Sequence, residues 1–146
     1  MFQGKLLAIR IAPIRAAAMQ SVDMIELVAG AGLTGDRYLN KPQQEVTLIE
    51  QEALEAALRD YKLDLTHAES RRNLLTSGVP LNHLVGQQFS VGDVVLEGLE
   101  LCEPCKYLQK LTGKEVIRAL QHRGGLRARI VRGGTVQSGA AITPQE

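Results

Sequence analysis

The amino-acid sequence predicts a β-rich α+β domain, an antiparallel β-barrel with a few peripheral helices. Three observations favour this class: several short segments are rich in branched apolar residues, glycine-containing turns separate them, and amphipathic helical segments are few. A chain of 146 residues fits one domain, residues 1–146. Such a domain buries about 68–70% of its unfolded surface without metals or disulfides.

The composition excludes several classes of protein. With 45% hydrophobic and 23% charged residues and a net charge of +1, the chain is typical of soluble globular domains rather than disordered or strongly nucleic-acid-binding ones. Its aromatic content of 3% argues against a stacking platform for single-stranded nucleic acid. The sequence has no apolar run of about 20 residues and no secretory signal pattern at its N-terminus. We expect a cytoplasmic protein that binds neither nucleic acid nor membrane.

The first half predicts three strands and one helix. Branched apolar residues predict strands over residues 4–11, 24–28 and 45–49, with a glycine-rich loop at 29–38. Residues 50–61 follow the period of an amphipathic helix. The predicted apolar face of this helix consists of Ala53, Leu54, Ala57, Leu58 and Tyr61.

The second half returns to an extended pattern. Strands are predicted over residues 71–76, 89–91, 94–101 and 126–130. The apolar positions of the strand at 94–101 change parity at Gly98, which predicts a β-bulge there.

Glycines mark the remaining boundaries in this half. Two short helices are divided at Gly113, and the spacing of Thr112 and Glu115 predicts a capping box for the second one. The glycine pair at 133–134 predicts a hairpin turn from the strand at 126–130 into residues 135–136.

The two cysteines, Cys102 and Cys105, have Cys-x-x-Cys spacing and admit several interpretations. A structural zinc site needs more ligands, and His67, His83 and His122 lack zinc-finger spacing. A redox dithiol would require a βαβ context, and two buried thiols remain the plain alternative. Pro104 is well suited to the first turn of a helix, which would place Cys105 near free backbone amides and beside Lys106. Both the backbone amides and the charge of Lys106 stabilise a thiolate. Cys105 is therefore the stronger candidate for a reactive thiol.

A basic cluster, Arg71-Arg72-Asn73, lies on the predicted strand at 71–76. Adjacent strand residues point to opposite faces, so one arginine faces inward, and Arg71 shares its face with Asn73. An inward arginine needs a partner. That partner is either a structural carboxylate, from Asp36 or Glu69, or the phosphate or carboxylate of a ligand.

Two further clusters admit both structural and functional interpretations. The turn at Asp36 and Arg37 is either a tight loop with an ion pair or a loop that leaves room for a ligand. The basic segment 122–129 contains Arg123 and resembles a helix end followed by a strand. Its Arg127 and Arg129 form either a solvated face or an anion site.

Taken in order, these motifs resemble the MOSC family, whose domains are similar to the C-terminal portion of molybdenum cofactor sulfurase. The resemblance extends from about Gly4 to Ile142. It depends on the succession of six segments: residues 29–37, 46–50, 69–75, 84–92, 101–105 and 122–127.

The resemblance implies a cofactor and a set of site residues. It implies a barrel-like fold that binds the molybdenum cofactor (molybdopterin) or carries sulfur for metal–sulfur assembly. By the family motif, Cys105 is the catalytic thiol that ligates molybdenum or bears a persulfide, and Arg71 and Asn73 surround the cofactor. Looser matches add Asp36, Arg37 and Arg123.

The resemblance also implies partners. A catalytic member would reduce small N-hydroxylated substrates with electrons from a separate donor protein. A non-catalytic member would be a sulfur carrier or interaction module, loaded by a separate pyridoxal-phosphate cysteine desulfurase. Larger relatives carry an additional N-terminal barrel that helps to enclose the cofactor, so the pocket of this chain is either open or completed by a second copy in a homodimer.

Overall fold

The computed structural model describes residues 1–145 and confirms the predicted fold class. Its strands are β1 Gly4–Ile11, β2 Gln20–Val22, β3 Met24–Val28, β4 Gly32–Leu33, β5 Val46–Glu50, β6 Leu74–Ser77, β7 Gln88–Val91, β8 Val94–Leu101, β9 Leu126–Arg132, β10 Gly134–Gln137 and β11 Ala141–Pro144. Its α-helices are α1 Gln51–Tyr61, α2 His67–Ser70, α3 Lys106–Thr112 and α4 Val116–Ala119, and a 3-10 turn covers Leu81–His83. None of the helices in these residues is long and apolar enough to span a membrane.

Seven of the described strands close into a barrel, in the order β11-β7-β8-β9-β5-β6-β1, with β1 pairing back to β11. The barrel is mixed rather than wholly antiparallel, because β5 and β6 run parallel, with Leu48 opposite Leu74. Helices α1 and α2 connect these two strands. This crossover reverses the chain direction twice, and a parallel pair needs such a connection.

Two apolar clusters hold the fold together. The first fills the barrel and includes Leu6, Ile9, Leu48, Phe89, Leu96 and Leu126, all at 0% exposure. The second lies outside the barrel, where β5 and β6 meet the helices; it includes Ile49, Leu54, Ala57, Leu108, Val116 and Leu120. Helix α3, which begins beside Cys105, is therefore anchored on the barrel wall through Leu108.

The structure confirms the predicted bulge and corrects the predicted hairpin. The register between β8 and β9 shifts between Gly98 and Glu100. Gly98 also lies so close to the carbonyl oxygen of Leu84 that a side chain would collide with it. The glycine pair at 133–134 does not fold β10 back onto β9. Instead β10 pairs antiparallel with β3, in a separate sheet that also contains β4.

Two helix predictions were wrong in detail. In α1, Leu58 and Tyr61 are exposed and Ala56 is buried instead, because the helix rests on its alanine-rich side. Thr112 ends α3 and caps nothing in α4, whose N-cap Glu115 makes no side-chain capping bond. The capping box observed in the structure belongs to α2.

Candidate functional site

The segment before β6 is a helix end rather than a strand, which corrects the prediction of a strand from residue 71. Thr66 and Glu69 form the capping box that begins α2. The helix ends at Arg71, whose left-handed backbone (φ 61°) turns the chain before β6. The direction of the Arg71 side chain is therefore set by the short helix and the turn that ends it, and not by the alternation of residues along a strand.

Arg71 is a buried guanidinium with an incomplete set of partners. The residue is 9% exposed. Its Nη1 donates to the carbonyl oxygen of Ala17 at 2.8 Å, whereas its buried Nη2 has no hydrogen-bond partner among residues 1–145. Burial lowers the pKa of Arg71, and the nearby positive charge of Arg37 lowers it further. An anion at Nη2 would complete its hydrogen bonding and balance its charge.

Neither carboxylate expected as a structural partner bonds to Arg71. Asp36 is 5% exposed and forms an ion pair with Arg37 at 3.0 Å, while its Oδ1 also accepts the amide of Ala12 at 3.1 Å. Glu69 forms an ion pair with Lys114 at 2.9 Å. Both carboxylates are thus engaged with other groups, and the Nη2 of Arg71 is left for a different acceptor.

Arg71 lines a cavity of about 280 Å³ between α2, α3 and the loop that follows β1. The other lining residues include Ala18, Met19, Ala68, Glu69 and Leu111. Arg37 supports this wall, because its guanidinium donates to the sulfur of Met19 at 3.5 Å and to the carbonyl oxygen of Arg71 at 3.2 Å. The buried pair of Asp36 and Arg37 thus positions the cavity wall.

Asn73 is buried and joins two strands of the barrel. Its Oδ1 accepts hydrogen bonds from the amide and the hydroxyl of Thr47, each at 3.1 Å. Its Nδ2 donates to the carbonyl oxygen of Arg10 at 3.2 Å. These bonds link the ends of β5 and β1 beside Arg71. The side chain therefore stabilises the backbone around the cavity.

Arg72 connects this region to the cysteine loop. Its Nε donates to the carbonyl oxygen of Gly124 at 2.7 Å, and its Nη2 donates to that of Cys102 at 3.0 Å. The carbonyl oxygen of Arg72 is bonded in turn to His67 Nε2 at 2.8 Å. These contacts hold residues 71–72 against the loop that carries both cysteines.

The two cysteines have different environments. Cys105 is exposed and is the N-cap of α3, with extended backbone. The predicted helix start beside Cys105 is confirmed, whereas Pro104 precedes the N-cap and does not lie in the first helical turn. Cys102 is 5% exposed, and the Nη2 of Arg127 lies 3.7 Å from its sulfur. No group of three or more His, Cys, Asp or Glu side chains in the described part of the chain is arranged to hold a metal ion. Cys105 is thus the accessible thiol.

The arginines of the 122–129 segment lie away from Arg71. Arg123 is 3.7 Å from Asp60 and lines a separate cavity of about 470 Å³ under α1. Arg127 and Arg129 form ion pairs with Glu100 and Glu97 on β8. Of the predicted site residues, Arg71 lines the first cavity and Arg37 supports its wall. Cys105 is not among the residues that line this cavity, and Arg123 lies at another one.

The structure also adds residues that the sequence did not single out. The guanidinium of Arg15 stacks over the ring of Tyr107, 4.4 Å from its centroid, two residues along α3 from Cys105. Glu103 is bonded to His122 at 2.8 Å. The sequence signal for the second contact was limited to two polar residues within the Cys-x-x-Cys and His-Arg-Gly-Gly motifs, because the contact joins segments that are distant in the sequence.

Comparisons with known proteins agree with this fold. The model of the MOSC domain family matches residues 35–143. The structure is similar to YuaD from Bacillus subtilis (TM-score 0.85, 15% identity, 97% of each chain covered). It is also similar to YiiM from Geobacillus stearothermophilus (TM-score 0.75, 13% identity, 98% of this chain and 75% of that one) and to YiiM from Escherichia coli (TM-score 0.71, 18% identity, 100% and 70%). No curated protein sequence matches the chain. At these identities the structural likeness shows the shared fold.

Proposed function

The chain belongs to the MOSC domain family, and from this premise we propose that it binds the molybdenum cofactor, with Cys105 as the molybdenum ligand. The observation that carries the proposal is the buried Nη2 of Arg71, which lacks a partner among residues 1–145. A guanidinium fork is well suited to phosphate. Arg71 would therefore bind the phosphate of the pterin.

The residues present fit such a cofactor chemically. A thiolate is a soft ligand for a transition metal, and Cys105 is exposed at a helix start. Arg37 and Asp36 neutralise each other, whereas Arg71 has no ion-pair partner among residues 1–145 beside the cavity. When bound, the cofactor would supply two-electron redox chemistry that side chains lack. The chain itself would bind and orient it.

A catalytic version of this function is the reduction of small N-hydroxylated substrates. The electrons would come from a separate donor protein. In this version Arg71 and Cys105 hold the cofactor, while Asn73 keeps the ends of β1 and β5 in place through Thr47 and Arg10.

The exposure of Cys105 favours a second candidate, a sulfur carrier. In this function the Cys105 thiolate attacks the outer sulfur of a persulfide on a cysteine desulfurase. A new S–S bond forms on Cys105, the S–S bond of the donor breaks, and the electron pair leaves with the donor's cysteine thiolate. An exposed thiol suits this transfer because the donor protein must reach it.

Molybdenum and pterin analysis of the full chain, purified from a host that makes the cofactor, tests the first candidate. We expect both in the wild type and in Cys102→Ala, neither in Cys105→Ala, and at least about a tenfold loss in Arg71→Met, since one charge-assisted contact contributes about 1.5–3 kcal/mol. Arg132→Met, at an exposed arginine on β9, is the matched control. Wild-type protein without molybdenum in every preparation would contradict the proposal.

Mass spectrometry tests the second candidate, the sulfur-carrier function. After incubation with a cysteine desulfurase and cysteine, the wild type and Cys102→Ala should gain one sulfur atom, and Cys105→Ala should gain none. A gain confined to Cys102 would reverse the assignment of the working thiol.

A further inference from the structure

A third cavity, of about 640 Å³, lies between the cysteine loop and helices α3 and α4. Pro104, the neighbour of Cys105, forms part of its wall together with Glu103 and His122. The charged groups that face these two residues from α4 and its N-cap are Arg118 and Glu115. The site described above uses neither Glu103 nor His122.

Glu103 holds His122 at two points. One carboxylate oxygen accepts the backbone amide of His122 at 2.8 Å, and the other is 2.8 Å from ring nitrogen Nδ1. A carboxylate only accepts hydrogen bonds, so Nδ1 carries the hydrogen and Nε2 is the free nitrogen. The carbonyl oxygen of His122 is fixed as well, because it accepts from Asn82 Nδ2 at 2.6 Å.

The backbone of His122 is held in an uncommon conformation. Its φ is 61°, in the left-handed region, which non-glycine residues adopt at a cost of about 1–2 kcal/mol. Asparagine tolerates this conformation well. The two bonds from Glu103 and the bond from Asn82 offset the strain. The imidazole is thus held in one place although 69% of the side chain is exposed.

This arrangement is tied to the cysteine loop. Gly124 packs so closely on the carbonyl oxygen of Cys102 that a side chain there would collide with it, and it also lies close to Pro104. Arg72 donates to the carbonyl oxygens of Gly124 and Cys102 and so joins the two segments from behind. His122 therefore has a fixed position relative to the loop that ends at Cys105.

We propose that Glu103 and His122 form a proton-transfer pair for a small, polar, N-hydroxylated molecule bound in this cavity. Glu103 is the positioning residue, and His122 Nε2 is the atom that gives and takes the proton. A carboxylate-oriented imidazole with one free nitrogen is a common device of general acid catalysis. The inference depends on the proposed function, which supplies the substrate class and the electron-donor protein.

The step balances as R–NH–OH + 2 e⁻ + 2 H⁺ → R–NH₂ + H₂O. The N–O bond breaks, an N–H bond forms, and the oxygen leaves as water. Protonated His122 donates one proton to the departing oxygen, and the solvent supplies the other. The two electrons come from the redox protein that serves as donor. Exposure of the imidazole allows it to regain its proton from water.

Nitrogen-15 NMR of the cofactor-free full chain tests the geometry without any turnover. For the neutral form of the imidazole we expect the hydrogen on Nδ1 in the wild type and a shift toward the Nε2–H form in Glu103→Gln, because an amide holds Nδ1–H less firmly than a carboxylate does. An Nε2–H tautomer in the wild type would overturn the pair.

Turnover of benzamidoxime with a chemical reductant tests the chemistry. The variant His122→Asn suits the left-handed backbone but cannot move the proton. We expect equal molybdenum content, a Tm within about 2 °C of the wild type, and a loss of kcat of about 100-fold or more, with the alkaline limb of the pH profile, on which a general acid loses its proton, abolished. The control His83→Asn should retain wild-type turnover and pH profile.

The outcomes separate this inference from the proposed function. Unchanged turnover and pH profile in molybdenum-loaded His122→Asn overturn the proton-transfer pair and leave cofactor binding intact. Absence of molybdenum from wild type and variants alike overturns the proposed function, and with it the substrate class of this step.

Discussion

Arg71 and Arg72 are adjacent in the sequence and have opposite environments. Arg72 donates to two carbonyl oxygens, those of Gly124 and Cys102, and so joins the end of α2 to the cysteine loop. Arg71 is more deeply buried, donates to a single carbonyl oxygen, and has an unpartnered Nη2 within residues 1–145. The guanidinium of Arg72 joins two backbone segments, whereas that of Arg71 keeps a buried donor without an acceptor among residues 1–145.

The difference shows that two adjacent arginines can differ in whether their buried N–H groups are hydrogen-bonded. A buried charge that is fully bonded stabilises its surroundings, whereas one that lacks an acceptor destabilises the free protein until an anion binds. The two residues should therefore respond differently to substitution. The predictions below test that contrast, beginning with the largest expected change in stability.

Replacing Arg72 with alanine should destabilise the protein most. The change removes two charge-assisted hydrogen bonds and leaves two carbonyl oxygens unpaired, so we expect the free energy of unfolding to fall by about 4 kcal/mol. Urea denaturation measures this loss. Arg72→Lys, which can restore one of the bonds, should lose about half as much. A loss below about 1 kcal/mol in Arg72→Ala would show that these bonds are dispensable.

His67, whose ring nitrogen Nε2 is bonded to the carbonyl oxygen of Arg72, should make the stability of the protein depend on pH. Burial, and next the charge of Arg10, lower the pKa of His67 from 6.5 to about 4. As the pH falls, the unfolded chain binds a proton at His67 at a higher pH than the folded protein does. The free energy of unfolding that is fully present above pH 6.5 is therefore partly lost as the pH falls toward 4. The loss is about 3 kcal/mol.

The matched variant for this effect is His67→Gln, which has no titrating ring. Subtracting its pH profile of unfolding free energy from that of the wild type isolates His67 from other groups, such as Glu50, whose pKa burial raises. Parallel profiles between pH 7 and pH 4 would contradict the assignment of a buried neutral imidazole.

Asn73 should behave as a structural residue with an intermediate effect. Asn73→Asp keeps an acceptor for Thr47 but loses the donor to the carbonyl oxygen of Arg10 and buries a charge. We expect a loss of about 2 kcal/mol in urea denaturation. Cofactor content per folded molecule should remain at the wild-type level. A selective loss of cofactor at unchanged stability would indicate direct contact with the ligand instead.

Replacing Arg71 with methionine should change stability least and ligand binding most. The variant removes a poorly satisfied buried charge and keeps most of the side-chain volume, so we expect a change in unfolding free energy below about 1 kcal/mol. Thermal denaturation of the cofactor-free protein measures it. A large fall in Tm, comparable with that of Arg72→Ala, would show that Arg71 is a structural residue.

Local patterns predicted much of the fold. The strand at Gly4–Ile11, the strand at Met24–Val28 and the bulge at Gly98 follow from branched apolar residues and alternation over neighbouring positions. Pro104 predicted a helix start near Cys105, although the helix begins at Lys106 and Pro104 itself lies before the N-cap. Local patterns could not predict two strand pairings, that of β10 with β3 and the parallel pairing of β5 with β6. The sequence of a strand does not specify which other strand it will pair with.

The sequence by itself determined the β-rich class, the family, and Cys105 as the thiol at a helix start, because these features depend on short-range patterns and ordered motifs. Only the tertiary structure decided which arginine lacks a partner. The acceptors of Arg72 lie 30 and 52 residues away along the chain, and Arg71 reaches Ala17 across 54 residues. Whether a buried donor is satisfied depends on which distant carbonyl oxygens the closed barrel brings within about 3 Å.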